Sequence, residues 1–377
     1  MDQSKQTSLY ELHEMLGAKF ISFAGYLMPV QYTRGVLQEH LHTRKHAGFF
    51  DISHMGQITV WPRNCSKEEL IRNLERLMPC DLQSLPVNRQ CYSMFTNVDG
   101  GVIDDIIVAN CETHFHLIVN ASQKYSDLDH LQNNLSDKCE VQLENEKSLI
   151  AIQGPLSQDI LSEFCPEIMY MKFMDNKQVN IFDVPCLISR SGYTGEDGFE
   201  ISIQNDKILE LTEKLLQNEH LQPIGLGARD SLRLEAGLCL YGNDLNVDIT
   251  PPEADLKWAI HKSRINDHSK PTPFLGSEQI LMQLREGVKF IRVGLLPSGK
   301  APMRQGAEIF ADPLGNQHIG TITSGGFAPT LNQPISMARI NKQFSKVGTE
   351  IYVKIREKVL PATIVGLPFV STKYKKT

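Results

Sequence analysis

Residues 90–108 constrain the fold of this chain more than any other stretch. Two runs of strand-forming residues, 90–96 and 102–108, flank Asn97-Val-Asp-Gly-Gly101, whose adjacent glycines tolerate the positive φ angles of a tight reversal. The spacing predicts an antiparallel hairpin, and with it a sheet. The second run, Gly100-Gly-Val-Ile-Asp-Asp-Ile-Ile-Val108, carries two acids inside an apolar strand. Side chains alternate along a strand, so Asp104 and Asp105 face opposite sides of the sheet. An uncompensated buried carboxylate is costly, so at least one of the two must meet donors, solvent or a ligand. Structurally, such an acid caps a loop or pairs with an arginine at a rim. Functionally, it orients a nucleophilic amine or takes its proton.

Short strands and helices surround this hairpin without a regular period. A helix is expected over 36–46 with Gly48 as its stop, and a strand over 57–61. Ser66-Lys-Glu-Glu69 reads as a capping box, in which hydroxyl and carboxylate each satisfy a backbone donor. Leu70, Ile71, Leu74, Leu77 and Met78 then form a helical apolar stripe. A third strand over 114–120 and a helix after Ser122 complete an α+β layer. A new unit starts at 148–153 and ends in Gly154-Pro155. Strands over 181–190 and 199–203 flank a Gly-rich turn, helices follow over 207–216 and 228–238, and Pro251-Pro252 punctuates. From Phe290 the pattern becomes β-rich: 290–296, 318–323, 351–355 and 362–366, with Gly306, Gly315, Gly325 and Gly326 between or near them. A small antiparallel barrel or sandwich is expected there, its boundary between about Ser263 and Pro273.

At 377 residues the chain supports two or three cores rather than one. Its 44 acids against 38 Lys and Arg give a net charge of −6, unfavourable for a general polyanion binder, so no nucleic-acid partner is expected. No stretch approaches the ~20 apolar residues of a membrane span, so no membrane is expected either. The eight cysteines are scattered without Cys-x-x-Cys and read as reduced, which points to an intracellular compartment. The first ten residues are polar and lack a signal-peptide core. The expected location is a bacterial cytoplasm, or a mitochondrial matrix after loss of a presequence.

Two further segments offer chemistry. Ser191-Gly-Tyr-Thr-Gly-Glu-Asp-Gly-Phe-Glu200 allows close backbone approach to a flat ligand, with Tyr193 offering a ring and Glu200 a carboxylate suited to paired N–H donors. As a purely structural element it is a hairpin turn. In Gly225-Leu-Gly-Ala-Arg-Asp-Ser-Leu-Arg-Leu-Glu-Ala-Gly237, Arg229 and Arg233 are helical neighbours near a helix start, placed to meet an anion or to form an ion pair such as Asp230–Arg233. His42 with His46, and His114 with His116, share faces, but neither set has a third ligand nearby, so no metal site is expected. No phosphate loop of the Gly-x-x-x-x-Gly-Lys-[Ser/Thr] type and no Gly-x-Ser-x-Gly elbow is present.

Taken together, these stretches resemble the aminomethyltransferase family, the T proteins of the glycine cleavage system. The likeness runs through Phe23-Ala-Gly-Tyr-Leu-Met-Pro29, 40–44, Phe50-Asp-Ile-Ser-His-Met-Gly56, 100–108, Ala151-Ile-Gln-Gly-Pro155, 191–200 and 225–244. It extends to Ile322-Thr-Ser-Gly325, Pro329-Thr330 and Pro368-Phe-Val370. Tyr26 stands where the family often has Trp, and Ala109 where some members place a Tyr.

The resemblance implies an α+β fold, a three-lobed cloverleaf around a central folate cavity with a small C-terminal antiparallel β-barrel. Its first domain is discontinuous, 1–50 with 148–262; the second is 51–147 and the barrel 273–377. It implies transfer of a methylene carbon from the aminomethyl-lipoyl arm of H protein to tetrahydrofolate, with release of ammonia and without a metal. Carried over by motif, Asp105 is the catalytic carboxylate, and Tyr92, Tyr193 and Glu200 hold the pteridine. Asp104, Arg229 and Tyr374 are further ligand contacts, and Met55 lines the cavity. Two other classes stay open: the folate module of sarcosine and dimethylglycine demethylases, whose flavin fingerprint Gly-x-Gly-x-x-Gly is missing here, and a non-catalytic folate-binding relative that assists iron–sulfur assembly.

Overall fold

The hairpin that dominates the sequence folds as expected and shows how this chain builds its sheets. In the computed structural model, which describes residues 4–135, 138–266 and 273–376, strands Arg89–Thr96 and Val102–Asn110 pair antiparallel, with Met94 opposite Asp105. The Asn97 side-chain oxygen accepts the backbone N–H of Asp99 and of Gly101, each at 2.9 Å, and Gly100 supplies φ +84°. A Cβ on Gly101 would lie 1.7 Å from the Val247 carbonyl oxygen, so only glycine lets the hairpin close against the 246–249 segment. Much of the segment proposed as a boundary, 267–272, lies outside the described residues.

In chain order the elements begin with α1 (Tyr10–Met15), β1 (Lys19–Phe23), β2 (Tyr26–Gln31), α2 (Gly35–Lys45) and β3 (Ala47–Asp51). Next come β4 (Gly56–Pro62), α3 (Lys67–Leu74), the hairpin strands β5 (Arg89–Thr96) and β6 (Val102–Asn110), β7 (Phe115–Val119), α4 (Lys124–Leu135) and β8 (Cys139–Leu143). They are followed by β9 (Lys147–Gln153), α5 (Ser157–Ser162), β10 (Asn176–Ile181), β11 (Val184–Ser189), β12 (Gly198–Gln204), α6 (Ile208–Leu215), β13 (Leu221–Pro223) and α7 (Leu226–Glu235). Helices α8 (Lys262–Asn266) and α9 (Ser277–Glu286) lead to β14 (Phe290–Pro297), β15 (Glu308–Phe310), β16 (His318–Ala328), β17 (Gln333–Asn341), β18 (Glu350–Ile355) and β19 (Lys358–Val365).

Among the described residues the strands form a ribbon β1-β2, a five-stranded sheet β5-β6-β7-β4-β8, a six-stranded sheet β10-β11-β12-β9-β3-β13, and a closed barrel β14-β17-β16-β15-β18-β19. The fold is therefore α+β with a C-terminal antiparallel barrel. In the six-stranded sheet β3 lies directly beside β9, Phe49 opposite Ile152, although the whole five-stranded sheet intervenes between them in sequence. Each main sheet has its own core: Phe49, Ile152, Phe199 and Ile201 in the first; Leu70, Leu74, Phe95, Ile106 and Phe115 in the second; Leu295, Ile322, Ile340 and Val353 in the barrel.

Local expectations fail in instructive places. Gly48 does not stop α2; it lies inside β3, where a Cβ would come within 2.6 Å of Ile224 and Thr43. The run 181–190 is broken by Phe182 and Asp183 at φ +51° and +62°, which turn β10 into β11. Ser66 caps α3 by accepting the Glu69 N–H at 3.2 Å, but the Glu69 carboxylate turns to Lys138 instead of closing the box.

Two features tie the units together. The Glu235 carboxylate at the end of α7 accepts from His40 at 3.1 Å, Arg44 at 2.8 Å, and the Thr330 backbone and hydroxyl at 2.9 and 2.7 Å. After the barrel the chain runs back over the six-stranded unit. Val370 N–H donates to the Glu235 carbonyl, Lys373 N–H to Gly195, and the Lys375 carbonyl accepts from Phe173. No helix among the described residues is long and apolar enough to cross a membrane.

Candidate active site

The three units and the returning tail surround a cavity of 1530 Å³. Met55, Tyr92, Asp105, Tyr193, Glu200, Arg229 and Tyr374 all line it, although they come from six separate stretches of chain. Asp104 does not. Alternation along β6 sends its side chain to the other face, where it is fully buried.

The β6 acids are held by one side chain that sequence reasoning passed over. Asn120, at the end of β7, donates its amide Nδ2 to Asp105 Oδ1 at 2.8 Å and to Asp104 Oδ1 at 2.9 Å. Its backbone N–H reaches Asp104 Oδ2 at 2.9 Å. Tyr92, on β5, donates its hydroxyl to Asp105 Oδ2 at 3.0 Å. Each Asp105 oxygen thus has one fixed donor, and the carboxylate is aimed rather than free to rotate. Asp105 is half-buried, and burial raises its pKa to about 6 against the opposing pull of Tyr92 and Asn120. Behind it, burial and the neighbouring Asp127 push Asp104 far above the usual carboxylate range. Asp127 is itself fully buried, and contact with the Asp104 carboxyl group accompanies a rise of its own pKa to about 7, caused mainly by burial. Two carboxyl groups packed this way cannot both ionise, so one proton stays on the pair.

Aromatic surfaces and a cation form the remaining walls. The Arg229 guanidinium stacks 4.7 Å over the Tyr193 ring, and it has no carboxylate partner among the described residues. Burial lowers its pKa while Tyr193 and Glu200 oppose that shift. The Tyr193 hydroxyl is anchored to the Cys239 carbonyl. On β12, Glu200 accepts from Ser191 Oγ at 2.6 Å and lines the cavity. Tyr374 stacks on Phe173 with ring centroids 4.1 Å apart, which places the tail in the wall. Trp258, another residue the sequence did not single out, stacks on Tyr92 at 5.2 Å. His54 also lines the cavity and is held neutral: burial and nearby Arg229 drop its pKa to about 3.

Of the two alternatives open for the Arg helix, the ion pair is the one that forms. Arg233 is an ion-pair residue, bound to Asp230 at 2.8 Å and Asp244 at 3.1 Å, while Arg229 faces the cavity. The histidine pairs serve local packing. His46 stacks on His220 at 5.3 Å and His114 on Trp61 at 3.8 Å. No cluster of metal-holding side chains occurs among the described residues.

A carboxylate clamped by two donors, an unpaired guanidinium and several rings inside one chamber can hold a flat, nitrogen-rich ligand edge-on and place a base beside it. Two family models match the chain: the one described as GCVT N-terminal domain over residues 9–264, and the one described as glycine cleavage T-protein C-terminal barrel domain over 291–371. The mitochondrial aminomethyltransferase of Dictyostelium discoideum is 43% identical over 100% of this chain and 94% of its own length. The aminomethyltransferase of Thermoanaerobacter sp. (strain X514) is 40% identical and covered in full by both chains. The crystal structure of glycine cleavage system aminomethyltransferase T from Bartonella henselae superposes with a TM-score of 0.92 at 39% identity, covering 99% of this chain and 100% of that one.

Proposed function

From its membership of the aminomethyltransferase family, the T proteins of the glycine cleavage system, we propose that the chain moves a methylene carbon from the aminomethyl-lipoyl arm of H protein to tetrahydrofolate. The carbon's bonds to nitrogen and to the lipoyl sulfur both break, ammonia and the H protein with its lipoyl thiol restored leave, and 5,10-methylenetetrahydrofolate is the product. The observation that carries this reading is Asp105, held by Tyr92 and Asn120 in the wall of a cavity lined by tyrosines, Glu200 and Arg229.

In this reading Glu200 accepts the paired N–H donors of the pterin edge, and Tyr193 and Tyr92 cover its faces. Arg229, already electron-seeking over Tyr193, takes a ligand acceptor. Met55 fills the apolar wall and Tyr374 closes the tail side. Departure of the amine leaves a carbon with developing positive charge, which the Asp105 carboxylate stabilises while it orients the attacking folate nitrogen and receives its proton. The surrounding walls limit access of water, which would otherwise capture that carbon. Asp104 is not a ligand contact in this scheme; it acts behind Asp105, through Asn120.

The division into domains 1–50 with 148–262, 51–147 and 273–377 belongs to the same proposal, as does a bacterial-cytoplasmic or mitochondrial-matrix location. The test is ammonia release from glycine-loaded H protein, with and without tetrahydrofolate. Folate-stimulated release is the expected result. Tight folate binding without release identifies a non-catalytic relative instead.

A further inference from the structure

We propose that Cys65 and Cys139 form a reversible intramolecular disulfide when the protein meets a small-molecule disulfide. All eight cysteines are free thiols in this structure, and the Sγ atoms of Cys65 and Cys139 lie 4.0 Å apart. A bond needs about 2 Å, a closure within reach of side-chain rotation. The backbone brings the two together by design of the sheet edge. Cys139 opens β8 opposite Pro62 of β4, and the chain beyond Pro62 folds back across it. Arg63 N–H and Asn64 N–H both donate to the Lys138 carbonyl, at 2.9 and 3.0 Å, and the Cys65 thiol shares that acceptor at 3.4 Å. Ser66 then starts α3. The geometry is held at both ends, one residue from a helix cap and inside a strand pairing. Neither thiol lines the cavity, so the pair is separate from the chemistry proposed above.

The two thiols are unequal. Cys139 is 8% exposed, and burial together with the adjoining Cys65 pushes its pKa up to about 12. Cys65 is half-buried, and it is the sulfur a soluble reagent reaches first. Cys65 loses its proton and attacks one sulfur of the reagent RSSR. A Cys65–SR mixed disulfide forms, and the S–S bond of the reagent breaks to release RS⁻, which takes up a proton. Cys139 then gives up its proton and attacks the Cys65 sulfur, forming the protein disulfide and expelling the second RS⁻ as RSH. The protein has lost two protons and two electrons, and the reagent has gained both. The bond spans 74 positions of sequence and ties the start of α3 to β8. Such a long closed loop restricts the unfolded chain strongly, so the oxidised form is the more heat-resistant.

The full-length protein is incubated with glutathione disulfide, digested without reductant and mapped by mass spectrometry, and its melting is followed in parallel. Expected are a Cys65–Cys139 peptide link with no glutathione retained, a Tm raised by about 5 °C, reversal by dithiothreitol, and a stable glutathione adduct on Cys65 in the Cys139→Ser variant. Glutathione retained on Cys65 of the unsubstituted protein, a link between any other pair, or no change in mass overturns the proposal.

Discussion

Asp105 is useful because its oxygens are held by Tyr92 and Asn120 while burial keeps its pKa near 6. If the carboxylate is the active form, turnover falls as pH drops through about 6, where the group takes up a proton. The Asp105→Asn variant preserves size and most hydrogen bonds. It is expected to bind folate normally by calorimetry but to lose turnover about 100-fold or more, and the residual rate no longer shows that acidic limb. Unchanged ammonia release at neutral pH would remove Asp105 from the chemistry. In the proposed function Glu200 has the complementary role of holding the ligand. Glu200→Ala takes away charge-assisted acceptors and is expected to weaken folate binding about 10-fold or more; equal calorimetric affinity would contradict that assignment.

Among the elements, the β5–β6 hairpin sets the position of both acids, and its closure depends on Gly101 meeting the Val247 carbonyl. Gly101→Ala must push strand and loop apart, with an expected cost of about 1–3 kcal/mol in urea unfolding. A midpoint equal to that of the parent protein would show that the contact yields freely. This hairpin was legible in sequence because Asn-Val-Asp-Gly-Gly announces its turn and its strands are unbroken. The placement of Asp104 and Asp105 on opposite faces followed from alternation alone. The ribbon β1-β2 and strands β15 and β17 were not foreseen. The ribbon leaves β1 mostly exposed and thus without an inside-outside pattern, and β15 spans only Glu308–Phe310. Asn120 escaped notice because a polar residue closing a strand looks like an ordinary turn. Its contact with the acids depends on β6 and β7 being neighbours, which no local pattern encodes.

For the whole molecule, the junction between α2, α7 and the barrel converges on Glu235. Burial alone would raise this carboxyl, but His40, Thr330 and Arg44 overcome it and hold the pKa at about 2. The folded state therefore binds its proton more weakly than the unfolded chain, whose glutamate titrates near 4.5. The stabilisation is complete above that value and disappears as pH falls toward about 2. Glu235→Gln leaves Arg44 and His40 poorly matched in a buried setting, an expected loss of about 3 kcal/mol, seen as a lower Tm at neutral pH. The gap between the two proteins should close in acid; a constant difference down to low pH would refute the electrostatic origin.

The wall contributed by residues 367–376 also bears on the order in which the chamber is made. During translation, β6 with Asp105 leaves the ribosome more than two hundred positions before Tyr374, so the acidic strand and its sheet form while one side is still open. A nascent chain can then own a finished barrel and an aimed carboxylate yet lack one wall of the cavity. Under the proposed function, ligand binding becomes a late event of biosynthesis, and a nick just beyond β19 would uncouple recognition from folding.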